Sequence, residues 1–95
     1  MPTDIFIYGI GGDFESYVLP ALDKLSVGGL LDRNPKRKQF GKNKIPVKKY
    51  RFAEHGNHPI LISTIRFQQE ILSDLISFGH TVENIFFLSD IYNKG

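Results

Sequence analysis

Apolar residues fall in short runs closed by glycine, proline or polar turns, and these runs alternate with stretches of helical spacing. Asp4-Ile-Phe-Ile-Tyr-Gly9 is rich in β-branched and aromatic residues and stops at glycine, which predicts a buried strand. Gly9-Ile-Gly11-Gly12 predicts a tight turn. From 14 to 25 the apolar positions Phe14, Tyr17, Val18, Ala21, Leu22 and Leu25 keep helical spacing, with Pro20 predicting a kink or a late start. Val27-Gly-Gly-Leu-Leu-Asp32 predicts a second strand, weakened by its glycines. Ile45-Pro46-Val47 predicts a short extended piece at an edge or in a loop, and 50–55 a helical turn or two. Pro59-Ile-Leu-Ile-Ser-Thr64 predicts another strand. The helix after it carries a stripe of Ile71, Leu72, Leu75, Ile76 and Phe78 and stops at Gly79. Asn84-Ile-Phe-Phe-Leu-Ser89 predicts a last strand, followed by a tail over 90–95.

Strands that are apolar throughout, alternating with helices, predict a parallel sheet covered on both faces. The expectation is a three-layer α/β domain with a mostly parallel sheet of four or five strands in the order 3-2-1-4-5, the third short or missing. Residues 1–95 then form a single domain, read as a fragment or N-terminal domain of a larger protein.

Charge changes this picture. Nine of the twelve Lys and Arg residues lie between Arg33 and Arg51, a segment without Asp or Glu; the remainder holds three basic and ten acidic residues, so nine minus seven gives the net +2. A polybasic segment on an acidic body favours an anion or forms a solvated loop. The chain has no cysteine, so no disulfide, thiolate metal site or cysteine nucleophile is available. No apolar run reaches the roughly 18 residues of a membrane span, and the start of the chain shows no leader pattern, so the expected location is cytoplasmic.

In a sheet of this kind ligands bind outside the carboxyl ends of the strands, where the strand order reverses. The first strand ends there at Gly9. Glycines let the backbone approach a phosphate, and a following helix start offers free N–H groups. Asp32 closes the second strand about 20 residues further on, where an acid accepts hydrogen bonds from ribose hydroxyls. Aligned on Gly9 and Gly11, a G-x-G-x-x-G pattern places Phe14 at its third glycine, a departure from the dinucleotide form. Asp13 adds a negative charge close to the expected phosphate. The alternative is a tight strand-to-helix turn with no ligand.

Ile7-Tyr8-Gly9-Ile-Gly11-Gly12, Gly29-Leu-Leu-Asp32-Arg-Asn34-Pro35-Lys36, Gly41-Lys-Asn-Lys-Ile45-Pro46-Val47 and Ile60-Leu-Ile-Ser-Thr64 together resemble a widespread bacterial domain. It is the Rossmann-like nucleotide-binding domain at the front of sugar acetyltransferases and polysaccharide-biosynthesis proteins. The resemblance runs over nearly the whole chain and is most specific at the Asp-x-Asn-Pro-Lys segment followed by Ile-Pro-Val. It implies a nucleotide or nucleotide-sugar site formed by Gly9, Ile10, Gly11, Gly12, Asp13, Asp32, Arg33, Lys36 and Thr64, with the chemistry on a missing catalytic domain. NAD(P) is the other cofactor it brings into view.

The remaining motifs add little chemistry. His55 and His58 match no zinc spacing and read as an exposed loop pair. Ser63 and Thr64 end a strand at the ligand edge, where they can bind a phosphate or sugar or cap the next helix. There is no nucleophile elbow and no Walker lysine. Phe40, Tyr50 and Phe52 interleave with the basic block without forming a nucleic-acid motif. The expectation is therefore ligand binding without a catalytic residue and without a metal. Two alternatives stand beside it: an interaction or oligomerisation domain, and the NAD(P)-binding part of an oxidoreductase or epimerase.

Overall fold

A computed structural model describes residues 4–36 and 38–92, the side chains of 91 and 92 excepted. Arg37 of the basic segment and residues 93–95 of the expected tail lie outside the described residues. The sheet has strands β1 (Ile5–Tyr8), β2 (Val27–Leu31), β3 (Gln39–Phe40), β4 (Ile45–Lys48), β5 (Ile60–Ile62) and β6 (Ile85–Phe87). Their order is β3-β4-β2-β1-β5-β6. All neighbouring pairs are parallel except β3 with β4. The fold is a compact α/β unit with a mostly parallel sheet of six strands rather than four or five.

The extra strand comes from the basic segment. Gly41, at φ +83°, and Lys44, at φ +52°, turn the chain back so that Gln39–Phe40 pairs antiparallel with Pro46 and Ile45. Pro46 sits where its missing N–H costs no ladder bond to β2, because that pairing begins at Val47 opposite Leu30.

Helices α1 (Phe52–His55), α2 (Gln68–Ser77) and α3 (Leu88–Tyr92) complete the chain, with short 3₁₀ turns. Helix α3 begins where the sequence pattern predicts the end of the last strand, so β6 stops at Phe87, and residues 88–92 are helical where strand was expected to 89 and tail from 90. Expected from Thr64 onward, the second long helix starts at Gln68 instead, after a turn over 65–67. Of its stripe, Ile71 and Leu75 are buried, while Ile76 and Phe78 are about half exposed.

The first helix is not a regular α-helix. After one turn from Gly12, the segment Phe14–Val18 is a π turn and Leu19–Lys24 a 3₁₀ helix. The Leu19 N–H bonds back to the Phe14 carbonyl, and Pro20 follows directly. Proline supplies no N–H and its ring crowds the preceding turn, so the helix changes its winding there.

The core has two layers, one on each face of the sheet. Phe14, Val18, Leu22, Ile7, Leu30 and Val47 fill one, and Tyr8, Leu31, Ile60, Ile62, Ile71 and Leu75 the other. Gly28 and Gly29 are fixed by close approach: a Cβ at either would stand 2.8 Å from the Phe6 ring. That ring packs edge-on against His55 and His58, each with centroids 4.8 Å away. His55 is accordingly buried, not an exposed loop residue as its glycine-, asparagine- and proline-rich surroundings predict.

Candidate functional site

The carboxyl ends of β1, β2 and β5 meet at one edge, and hydrogen bonds cross-link their loops there. The Asp32 carboxylate follows β2 and accepts the Ile10 N–H on Oδ2 at 2.8 Å and the Asn34 N–H on Oδ1 at 3.1 Å. A hydrogen bond to a charged group stabilises by about 1.5–3 kcal/mol, so this tie sets the path of the glycine turn. Gly9, at φ +96°, needs its glycine: a Cβ would lie 2.9 Å from the Thr64 methyl. At Gly11 and Gly12 a Cβ would meet nothing within 4 Å, so the turn opens onto free space.

The third loop is tied in by Asp13 and Ser63. Asp13 Oδ2 accepts the Ile65 N–H at 2.8 Å. Its carboxylate is thereby engaged across the edge rather than left facing a phosphate as its position in the sequence predicts. Ser63 is fully buried and its hydroxyl donates to the Gly9 carbonyl at 2.6 Å. It ties β5 to the glycine turn and faces no ligand, which removes it from the candidates. Thr64 Oγ1 accepts the Phe67 N–H at 3.3 Å, capping the turn before α2 while the residue still lines the cleft.

Three cavities open around this edge, and Asp32 lines each of them. The central one, about 360 Å³, lies over Gly9, Ile10 and Gly11 and reaches Thr64, Phe67, Glu70 and Ile71. A second, about 290 Å³, runs along Asn34, Pro35, Lys36 and Lys38. The third, about 320 Å³, lies between Arg33, Lys49, Tyr50, Asp74 and Phe78. Gly9, Ile10, Gly11, Asp32, Arg33 and Thr64 are therefore brought together around one cavity. Lys36 lies in the neighbouring basic one, and Gly12 and Asp13 line none of the three.

The aromatic ring of Phe14 does not plug the opening. It is fully buried under the first helix and packs edge-on against Phe40, with centroids 5.1 Å apart. The position that departs from the dinucleotide glycine pattern is thus a core residue here. The helix it begins is short and irregular, which weakens the dipole expected at the turn; the N–H groups ahead of Glu15, the first to bond within the turn (to Gly11), still lack a carbonyl behind them.

Arg33 lines the cavity with its charge partly paired. Its Nε pairs with Asp74 Oδ2 at 2.9 Å, linking the loop after β2 to α2. With the Arg33 side chain 57% exposed, the pair contributes about 0–1 kcal/mol.

Tyr8, at the end of β1, is the site residue that sequence reasoning passed over. It is 2% exposed yet lines both the central and the third cavity. Burial, aided by the Asp74 and Asp32 carboxylates, pushes its phenol up to about 12, so it is a hydrogen-bond donor at any physiological pH. Its place as the last apolar-run residue before Gly9 was the available signal. Among the described residues, no group of three or more His, Asp or Glu side chains is arranged to hold a metal ion. No described helix is long and apolar enough to cross a membrane.

No protein-family model, curated protein or solved structure matches the chain.

Proposed function

We propose that this chain is a Rossmann-like binding domain for a nucleotide or nucleotide-sugar, serving a bacterial sugar-modification or polysaccharide-biosynthesis protein whose catalytic centre lies on another domain. One observation carries the reading: the Asp32 carboxylate reaches back to the Ile10 N–H, so acid and glycine turn are tied to each other beside open space at Gly11 and Gly12. The parallel strands run β4-β2-β1-β5-β6, which puts the order reversal, and the cleft, at β1 and β5. In this reading the turn at 9–12 receives phosphate, Asp32 receives ribose, and Lys36 adds positive charge from the neighbouring cavity. NAD(P) is the alternative ligand of the same cleft.

Calorimetric titration with UDP-sugars, NAD(H) and NADP(H) tests it. Binding of a UDP-sugar that is lost on Gly11→Val, with the fold retained, is the expected result; no heat from any of them at millimolar concentration would overturn the proposal. A second reading, an interaction or oligomerisation domain, draws on an apolar groove where Tyr17, Leu25 and Phe86 are each 45–49% exposed. Sedimentation of the purified chain tests the oligomerisation form of that reading, which requires self-association.

A further inference from the structure

Tyr8 is the feature that the ligand reading leaves unused. The residue is 2% exposed, and among the described residues none hydrogen-bonds its hydroxyl. The ring is buried while the hydroxyl keeps access to the cavities that Tyr8 lines, so a donor without a protein partner there is free to bond a group that arrives with the ligand. The wall it occupies is shared by the central and third cavities, beside Asp32 and Arg33.

Charge decides what that group is. Of the charged groups acting on the phenol, the carboxylates of Asp74 and Asp32 outweigh the Arg33 guanidinium. Arg33 is itself spent on Asp74. Arg33 and Asp74 neutralise each other, so a phosphate against Tyr8 would meet the Asp32 carboxylate, whereas an uncharged hydroxyl meets acceptors and one donor. Asp32 has acceptor capacity left, because an ionised carboxylate offers about four lone-pair sites and the Ile10 and Asn34 N–H groups take two.

We infer that Tyr8 is a ligand-binding residue whose phenol donates a hydrogen bond to a ribose hydroxyl oxygen, while Asp32 accepts from the ribose. The inference rests on the nucleotide reading above and deepens it: the uncharged sugar sits over β1 and β2, and the phosphates lie away from Tyr8, toward Gly11 and Gly12.

The experiment uses UDP and ADP with their 2′,3′-dideoxy counterparts as probes, on the wild type and Tyr8→Phe, with affinities from calorimetry. Tyr8→Phe keeps the ring that packs in the core and removes only the oxygen. The expected result is a loss of about three- to tenfold for the ribose-bearing probe and no further loss for its dideoxy form, as one neutral hydrogen bond is worth. Equal affinity of the wild type and Tyr8→Phe for the ribose probe would overturn the inference and leave the nucleotide reading standing. The same loss for both forms of the probe would also overturn it, since the oxygen would then act without the ribose. Should the wild type bind neither UDP nor ADP, both readings fall. Tyrosine labelled with ¹³C at Cζ gives a readout without a variant: the Tyr8 signal should shift on adding the bound diphosphate, and an unmoved signal counts against the contact.

Discussion

Two strand-to-helix crossings leave the same edge of the sheet and are built differently. After β5 the chain forms α2, ten residues of regular α-helix. After β1 it forms a π turn followed by a 3₁₀ helix. Both bury residues four apart, Ile71 and Leu75 in one case, Phe14, Val18 and Leu22 in the other. A π turn is wider than an α turn and a 3₁₀ turn is tighter, so one offsets the other and the buried register survives around Pro20. Core burial thus fixes which residues face inward, and local chemistry fixes only how the backbone gets there.

Truncating the buried anchor of each crossing should break this comparison hardest. Phe14→Ala removes a fully buried ring and should cost about 3–5 kcal/mol; Leu75→Ala should cost about 2–5 kcal/mol. Urea denaturation of both variants measures this. If Phe14 instead sat in the ligand opening, its loss would cost little and nucleotide binding would tighten, and the core assignment would be wrong.

The carboxylates that tie the crossings to their neighbours come next. Asp32→Asn places an amide near the Ile10 and Asn34 N–H donors, where one NH₂ faces a donor instead of an acceptor. A cost of about 1–3 kcal/mol is expected, with faster hydrogen exchange at the Ile10 amide. Asp13→Ala should release the Ile65 amide in the same assay while leaving that of Ile10 protected. Exchange unchanged at Ile65 would mean that the loop after β5 holds its shape without the first crossing.

These ties show where sequence reading ended. The parallel β-α-β pattern was legible because fully buried strands are apolar throughout, as in Ile5–Tyr8 and Ile60–Ile62. The meeting of the glycine turn, Asp32 and Thr64 at one edge was legible from spacing, since strand ends at one edge meet; Ile10 and Arg33 came only with the family resemblance. Strand β3 was not, because two residues carry no periodicity and its pairing depends on the turn at Gly41 and Lys44. Nor was the engagement of Asp13 with Ile65, a contact 52 residues away, or that of Arg33 with Asp74. Tyr8 was hidden by its own hydrophobic run, where a phenol reads as one more core ring.

A weaker effect should come from pH, through the region beside the β2 and β5 loops. Burial lowers the pKa of His55 and of His80 from the usual 6.5. Glu54 opposes the shift at His55, while His58 and Lys48 add to it; His58 acts on His80 both ways, through its backbone and its charge. Tyr50 Oη lies 2.7 Å from His80 Nδ1. With folded pKa values below the unfolded value, the unfolded chain binds more protons as pH falls through about 6.5. Stability should therefore be full above that pH and decline below it. Denaturant midpoints at pH 7.5 and 5.5 measure the decline, and His80→Gln should flatten it. A midpoint that rises on acidification would contradict the buried, neutral state of both rings.

The smallest effect is the sharpest test of why the crossings differ. Pro20 is exposed, so Pro20→Ala removes no buried contact. It restores an N–H that can bond to the carbonyl of Ser16, four residues earlier, and it lifts the crowding on the preceding turn. Stability should change by no more than about 1 kcal/mol, the helical circular dichroism should rise, and the Leu19 N–H should move from the Phe14 carbonyl to that of Glu15. Amide exchange and nuclear Overhauser contacts over 14–24 read the change directly. If the π turn persists without the proline, the winding is set by Phe14, Val18 and Leu22 reaching their places in the core. The difference between the two crossings then lies in what they pack against, not in one residue of the backbone.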